Sequence, residues 1–348
     1  LTLHDALPIY ENKDSLYYLS ATGLAPTNIT AYIIENGFVI NDVDSIEIRD
    51  INIKGFDNYG VVVNNEVDYL STGIIVNNCD LEDCYASGVN FARYTGNFFY
   101  PVTHSYITNN IITGSSGQGI QGWIQQVTIS GNTIQNTGLL ENIGMDSYVT
   151  TNNGATAILA YSDSCTIKEN VVLDVGFNGI RFTKAQNGDL NTIQNNVLKR
   201  GGQHLADGGG IYTYGDNSYM GNIIDGNIIS DWGYGGTFSE NHGIYTDGSA
   251  VNGLAITNNV ISNCNNTNSY GIFLNDLKNT TVTGNTVYNC TKQLVYKHDT
   301  SGTLPVNNVI SNNKLWSLTI DKICANYSML RVLHPATWEL TSKDYYST

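Results

Sequence analysis

The feature that most constrains this chain is a pair of short motifs that recur about every thirty residues. In the first motif an Asn precedes two mostly apolar residues, and this Asn falls at Asn78, Asn110, Asn132, Asn170, Asn196, Asn227, Asn259, Asn285 and Asn313. In the second motif a small residue opens a short apolar run, at Gly60, Gly88, Gly119, Ala157, Gly179, Gly210, Gly243 and Gly271. Repeats of this length typically stack into a solenoid, because one repeat alone cannot bury its apolar side.

Two short strands per repeat, with a third from segments such as LAITNNV, describe a coil with three β-faces. The sequence therefore predicts an all-β fold, a single-stranded right-handed parallel β-helix of about ten rungs. The chain holds 35 Gly and only 5 Pro, which suits many tight turns and few helices. We expect the Asn of the first motif to stack from rung to rung as a hydrogen-bonded ladder in one turn.

The extent of the repeats divides the chain into three segments. Residues 31–320 are predicted to form the β-helix, residues 1–30 a partly artefactual leader without repeats, and residues 321–348 a truncated C-terminal segment. Six cysteines are too few for a disulfide scaffold, and no CxxC pair suggests a zinc site. Cys264 and Cys290 are predicted to stack on adjacent rungs, either as a cysteine ladder in the core or as a disulfide.

Charge and hydropathy exclude several classes of partner. The 31 acidic and 16 basic side chains give a net charge of -15, which opposes binding to nucleic acid or to an anionic membrane. No apolar run approaches the roughly 18 residues that a membrane span needs. We therefore expect a monomer without nucleic-acid or membrane partners.

The strand that follows each Gly of the second motif presents one face to solvent. Alternation directs Ile211, Ile244 and Ile272 inward and their neighbours outward. Exposed aromatic rings are costly unless something covers them, either folded loops or the apolar faces of sugar rings. We expect a carbohydrate to bind here, through Trp123, Tyr161, Arg181, Tyr212, Tyr214, Glu240, His242 and Tyr245.

Acidic residues cluster where these aromatics are densest. Asp207 and Glu240 each lie three residues before the Gly of their rung, and Asp247 lies four residues after it. Hydrolysis of a glycosidic bond by paired acids needs one protonated and one ionised carboxyl group, about 5–5.5 Å or 6.5–9.5 Å apart. We predict Asp207 and Asp247 as the catalytic pair, with Glu240 as a substitute for Asp207. The alternative is that both aspartates only cap turns.

Two segments carry a family resemblance: DGGGIYTYG from Asp207 and HGIYTDGS from His242. They resemble the paired motifs of right-handed β-helix glycoside hydrolases, notably the bacterial group with α-L-fucosidases and xylanases, over roughly residues 157–290. The resemblance implies that Asp207 and Asp247 are the catalytic pair. It also implies polysaccharide degradation by a secreted, periplasmic or cell-surface bacterial protein that requires no cofactor.

Two other functional classes share this fold. A polysaccharide lyase or uronate epimerase places Lys or Arg beside acidic sugars, and the predicted site offers mainly Arg181. Calcium bound between acids would favour that class. A non-catalytic adhesin or tailspike-like binder would keep the aromatics, but Asp207 and Asp247 would be replaceable. His204 and His242 lie near the candidate acids and either contact substrate or support the rung edge.

Overall fold

Positive φ angles at the corners of each repeat close it into a rung. The residue before each ladder Asn has φ of 57° at Asn109, 54° at Asn195 and 67° at Gly131. Asn and Gly reach this left-handed region most easily. The doubled Asn and the Gly-Asn pairs of the sequence therefore mark corners of the coil.

The computed structural model describes residues 11–12, 15–16, 34–65, 69–91, 100–139, 154–184, 189–214, 221–233, 240–247, 252–275, 277–297, 307–316, 324–326 and 338–340. The predicted leader, residues 1–30, lies outside these residues except for two short antiparallel strands, Glu11–Asn12 and Ser15–Leu16. Among the described residues no helix is long and apolar enough to cross a membrane.

Three parallel sheets run along the coil, and each rung contributes a strand to each sheet in turn. Sheet 1 has 12 strands: Asn36–Asn41, Tyr59–Asn64, Ser87–Phe91, Val102–Thr103, Gln118–Gln125, Ile158–Asp163, Ile180–Lys184, Gly208–Tyr214, Asn241–Asp247, Tyr270–Asn275, Lys292–Lys297 and Cys324–Asn326. Sheet 2 has 10: Glu47–Arg49, Ile75–Asn77, Tyr106–Thr108, Thr128–Ser130, Thr166–Lys168, Thr192–Gln194, Ile223–Asp225, Ala255–Thr257, Thr281–Thr283 and Val309–Ser311. Sheet 3 has 11: Asn52–Lys54, Asp80–Glu82, Ile111–Thr113, Thr133–Thr137, Val171–Val175, Val197–Gly201, Ile228–Ser230, Val260–Ser262, Thr286–Tyr288, Asn313–Trp316 and Trp338–Leu340.

This architecture confirms the prediction of a parallel β-helix. Sheet 1 continues to Cys324–Asn326, which lies within the segment predicted to follow the β-helix at residue 320. The last strand of sheet 3, Trp338–Leu340, pairs antiparallel with Asn313–Trp316. Pairing between strands therefore extends into residues 321–348.

The core consists of the inward residues of the strands, stacked in columns. Sheet 1 contributes Ile120, Ile158, Ile180, Ile211, Ile244, Ile272 and Leu294, each at most 1% exposed. Cys264 and Cys290 are buried free thiols that lie close together on adjacent rungs, as the ladder interpretation predicted.

The asparagine ladder forms as predicted from Asn110 to Asn313. Along it each Asn side chain donates from Nδ2 to Oδ1 of the next Asn at 2.9 Å, as from Asn196 to Asn227. The same Oδ1 accepts the backbone N–H of the preceding ladder Asn, for example Asn196 N–H to Asn227 at 2.9 Å. The ladder thus satisfies buried polar groups at every turn between sheets 2 and 3.

The prediction was wrong at Asn78, which does not join the ladder. Asn78 has φ of 53° and occupies the corner position, and its side chain bonds Asp50. Cys79 takes the ladder position, where its backbone N–H donates to Asn110 Oδ1 at 2.9 Å. The motif NNCDL carries its Asn pair one residue earlier than the other repeats, so spacing alone misplaced the register.

Candidate functional site

Two columns of outward side chains run along sheet 1, in the register that alternation predicted. The inner column consists of Gln121, Leu159, Arg181, Tyr212, Tyr245 and Phe273. The outer column consists of Trp123, Tyr161, Thr183, Tyr214 and Asp247. The two columns place the predicted catalytic Asp247 directly beside Tyr214 of the preceding rung.

The two predicted catalytic aspartates meet at the hydroxyl groups of two tyrosines. Tyr212 donates its hydroxyl hydrogen to Asp247 Oδ2 at 2.9 Å, and Asn275 donates to Asp247 Oδ1 at 3.4 Å. The Tyr245 hydroxyl lies within hydrogen-bond reach of both Asp207 and Asp247. The carboxyl groups of Asp207 and Asp247 therefore lie close enough for their charges to interact.

The environment of Asp207 favours its protonated form. Partial burial of the carboxyl group raises the pKa of Asp207, and the negative charges of Asp247 and Glu240 raise it further. A hydrogen bond from Tyr245 and the positive charge of Arg181 act in the opposite direction. Burial also raises the pKa of the Tyr212 and Tyr245 hydroxyls far above the usual value, so both remain hydrogen-bond donors.

Arg181 supplies the positive charge nearest to the acids among the described residues. Its guanidinium carbon lies 5.1 Å from the centroid of the Tyr212 ring, a cation–π distance. Its Nε is buried and has no hydrogen-bond partner in the part of the chain that the structure describes. Arg181 therefore lowers the pKa of Asp207 by its charge and retains a donor that no group among the described residues uses.

Comparison with known proteins agrees with this architecture. The family model described as "Right handed beta helix region" matches residues 36–236 and 203–328. The chain belongs to the right-handed β-helix family. The match also confirms the predicted handedness of this β-helix protein. No curated protein sequence matches it.

Three solved structures are similar to this chain at low identity. The Dettilon tailspike protein is 14% identical with a TM-score of 0.36, over 81% of this chain and 64% of that one. A glycoside hydrolase is 15% identical with a TM-score of 0.40, over 73% and 38%. An alginate lyase from Paenibacillus sp. str. FPU-7 is 14% identical with a TM-score of 0.44, over 83% and 93%. The β-helix protein thus spans less than two thirds of the length of the first two.

His242 does not face the site, contrary to the sequence-based expectation. It is 1% exposed and packs among the rings of Tyr245, Tyr270 and Phe273. Its Nδ1 accepts the backbone N–H of Tyr270 at 3.0 Å, and burial lowers the pKa of His242 to about 3. His242 is therefore a neutral structural residue that supports Tyr245 from beneath. The aromatic residues of the next rung, which cover it, are the signal that sequence reasoning missed.

This burial predicts a pH-dependent stability. The unfolded chain protonates His242 below its ordinary pKa of about 6.5, whereas the folded chain does so only near 3. The free energy of unfolding contributed by this residue is therefore complete above about pH 6.5. It falls by up to about 1.4 kcal/mol per pH unit as the pH decreases from there.

Urea denaturation of wild type and His242→Asn at pH 7 and pH 5 measures this loss. Asn keeps an acceptor near the Nδ1 position but does not titrate, so its stability should decrease less between the two pH values. The half-buried His204 gives the matched control, His204→Asn, which should follow the wild type. Equal pH dependence in wild type and His242→Asn would contradict the prediction.

Of the remaining predicted site residues, some lie near the two aspartates and others lie several rungs away. Glu240 is exposed at the position equivalent to Asp207 on the next rung, and the two have φ of 68° and 67°. Tyr214 is 49% exposed beside Asp247. Trp123 and Tyr161 lie further along the outer column and stack on each other, with ring centroids 4.2 Å apart.

Tyr212 and Tyr245 differ from the expectation of exposed stacking rings. They are 6% and 5% exposed, because each packs edge-on against the other, Arg181 covers Tyr212, and Phe273 stacks on Tyr245. Their contribution to the site is the hydroxyl group rather than the ring face. Asn275, which the sequence did not predict as a site residue, contacts Asp247 because it follows Asp247 on the next strand of sheet 1.

No group of three or more His, Cys, Asp or Glu side chains that could hold a metal ion occurs among the described residues.

Proposed function

We propose that this β-helix protein is a glycoside hydrolase that cleaves a poly- or oligosaccharide with Asp207 and Asp247. The observation that carries the proposal is the acid pair itself. Two carboxyl groups from adjacent rungs share the Tyr245 hydroxyl, and the pKa of one of them, Asp207, is raised. A protonated and an ionised carboxyl group side by side are what glycosidic hydrolysis requires.

Each acid has its own role in this proposal. Asp207, whose pKa is raised by partial burial and by the charge of Asp247, donates a proton to the glycosidic oxygen as the general acid. Asp247 faces the anomeric carbon as the nucleophile or general base, with its two oxygens oriented by Tyr212 and Asn275. We also propose that the protein is related to the fucosidase and xylanase group, as the motifs at Asp207 and His242 imply.

A screen against aryl glycosides and plant and algal polysaccharides, with and without chelator, tests the proposal. A hydrolase releases reducing ends without forming unsaturated sugars. Activity that survives chelation agrees with two carboxyl groups as the complete machinery. Release of unsaturated uronate, or binding without any turnover, would contradict the proposal.

Arg181 supports a second candidate, a polysaccharide lyase or uronate epimerase. Its positive charge and its unused Nε donor suit a sugar carboxylate, whose charge must be neutralised before the adjacent proton is removed. One observation disfavours this second candidate. The raised pKa of the Tyr212 and Tyr245 hydroxyls keeps both protonated, so neither can act as the base that removes a sugar proton. Arg181→Gln distinguishes the two candidates. If the protein is a lyase, the substitution should abolish turnover of an acidic polysaccharide. If it is a hydrolase, the substitution should only weaken turnover of a neutral polysaccharide.

A further inference from the structure

We infer that Trp123 and Tyr161 form a distal sugar-binding subsite, so that the substrate is a chain of several neutral sugars laid along the helix axis. The inference rests on the proposed function and extends it from the reacting bond to the length and chemistry of the substrate.

The register of sheet 1 fixes where these two rings lie relative to the acids. Trp123 pairs with Tyr161, Tyr161 with Thr183, Thr183 with Tyr214 and Tyr214 with Asp247. Adjacent strands are about 4.8 Å apart, so Tyr161 lies roughly 14 Å and Trp123 roughly 19 Å from Asp247 along the axis. One sugar unit of an extended chain advances about one such spacing. The two rings therefore stand about three and four sugar units from the acid pair.

The chemistry of the outer column between the acids and the rings suits a neutral sugar chain. Thr183 is short and carries a hydroxyl group, which donates to the Tyr214 carbonyl oxygen at 3.1 Å. Tyr214 is 49% exposed, and Trp123 and Tyr161 are partly exposed. None of the four side chains is charged. Aromatic rings and hydroxyl groups recognise the apolar faces and hydroxyls of sugars, whereas an acidic chain would call for cations.

The stacking of the two rings is itself informative. Their planes differ by only 1° and their centroids lie 4.2 Å apart, so Trp123 and Tyr161 stack face to face as one aromatic unit across two rungs. Trp123 also packs against the hydrophobic core, which holds this surface in place. A rigid aromatic surface loses little conformational entropy when a ligand binds, which favours it as a binding platform.

Binding of oligosaccharides of increasing length tests the inference without any need for turnover. In an Asp247→Asn background, calorimetry would measure the affinity for size-fractionated oligomers of two to eight units made from xylan, mannan and alginate. Affinity for the neutral oligomer that binds should increase until about five units and then level off. Trp123→Ala and Tyr161→Ala should each weaken binding of the long oligomers about ten-fold and leave the shortest unchanged.

Two exposed aromatics away from sheet 1 provide matched controls. Trp316→Ala and Tyr106→Ala remove rings that are 43% and 49% exposed on sheets 3 and 2, and should leave affinity for every length unchanged. A purely structural role for the Trp123–Tyr161 stack would lower the melting temperature and weaken all lengths equally, which would overturn the inference. Preference for alginate oligomers over neutral ones would overturn it as well.

The test also distinguishes failure of the inference from failure of the proposed function. Length-independent binding by a protein that still hydrolyses short glycosides overturns the distal subsite and leaves the hydrolase. If no oligomer binds and no glycoside is cleaved, both are overturned.

Discussion

Asp207→Asn and Asp247→Asn are each expected to reduce kcat on the identified glycoside by about 10²- to 10⁴-fold while the protein stays folded. Asn is close in size to Asp but supplies neither a proton for the leaving group nor a negative charge at the anomeric carbon. Because the two acids act on the same bond, the double variant should lose little more than the worse of the two single variants.

Steady-state kinetics together with melting temperatures would check this prediction. Glu240→Gln is the matched control, since Glu240 occupies the equivalent position one rung later but bonds neither tyrosine among the described contacts; its loss should stay below about ten-fold. If Glu240→Gln instead removed all activity and Asp207→Asn did not, the general acid would be Glu240. Near-wild-type turnover in both aspartate variants would contradict the prediction and would show that Asp207 and Asp247 only cap turns.

The pH profile of kcat/KM offers a second readout of the same pair. Activity requires protonated Asp207 and should decline as pH rises above its pKa. Tyr245→Phe removes a hydrogen bond that lowers the pKa of Asp207, so its alkaline limb should move to higher pH. A shift to lower pH would contradict this arrangement.

The largest expected effect on stability comes from the asparagine ladder. The Asn196 side chain donates to Ile167 O at 3.0 Å and to Asn227 Oδ1 at 2.9 Å, and accepts the backbone N–H and Nδ2 of Asn170 at 3.0 and 2.9 Å. Asn196→Ala removes these four hydrogen bonds from the buried ladder, although Asn227 Oδ1 keeps the Asn196 backbone N–H and Asn170 Nδ2 keeps Ile129 O. Each lost hydrogen bond contributes about 0.5–1.5 kcal/mol and a donor left unsatisfied costs about 1–3 kcal/mol, so a loss of about 3 kcal/mol or more in the free energy of unfolding is expected.

Urea denaturation of Asn196→Ala and Asn195→Gly would measure this effect. Asn195 is the adjacent corner residue, exposed and with φ of 54°, a conformation that Gly adopts without strain. Its replacement should change stability by well under 1 kcal/mol. Similar losses in the two variants would show that the ladder contributes no more than the corner.

The sequence was sufficient to predict the fold because the signals that determine it are local and repeated. Each repeat carries its own corner Asn or Gly and its own inward aliphatic residue, so the stacking of Ile211 on Ile244 follows from spacing. The register failed at Asn78, where a shift of one residue moved Cys79 into the ladder, because the local pattern contains no signal for that shift.

The details of the site were less predictable because they depend on neighbours from different rungs. Alternation predicted that Tyr245 and Asp247 lie on the outer face. It did not predict how far His242 and Phe273 bury the Tyr245 ring. The raised pKa of Asp207 arises from partial burial and from a charge forty residues away in sequence, at Asp247. Such effects require the packing of three rungs at once.

The in-register columns of sheet 1 also bear on how such a protein can change during evolution. Duplication or loss of one whole repeat, with its corner residue, ladder Asn and inward Ile, preserves every hydrogen bond between rungs. Such an event between Tyr161 and Tyr214 would move the aromatic pair toward or away from Asp247 by one strand spacing, about 4.8 Å. Chain-length preference could then change in steps of a single monosaccharide, by gene-segment copying rather than by point mutation.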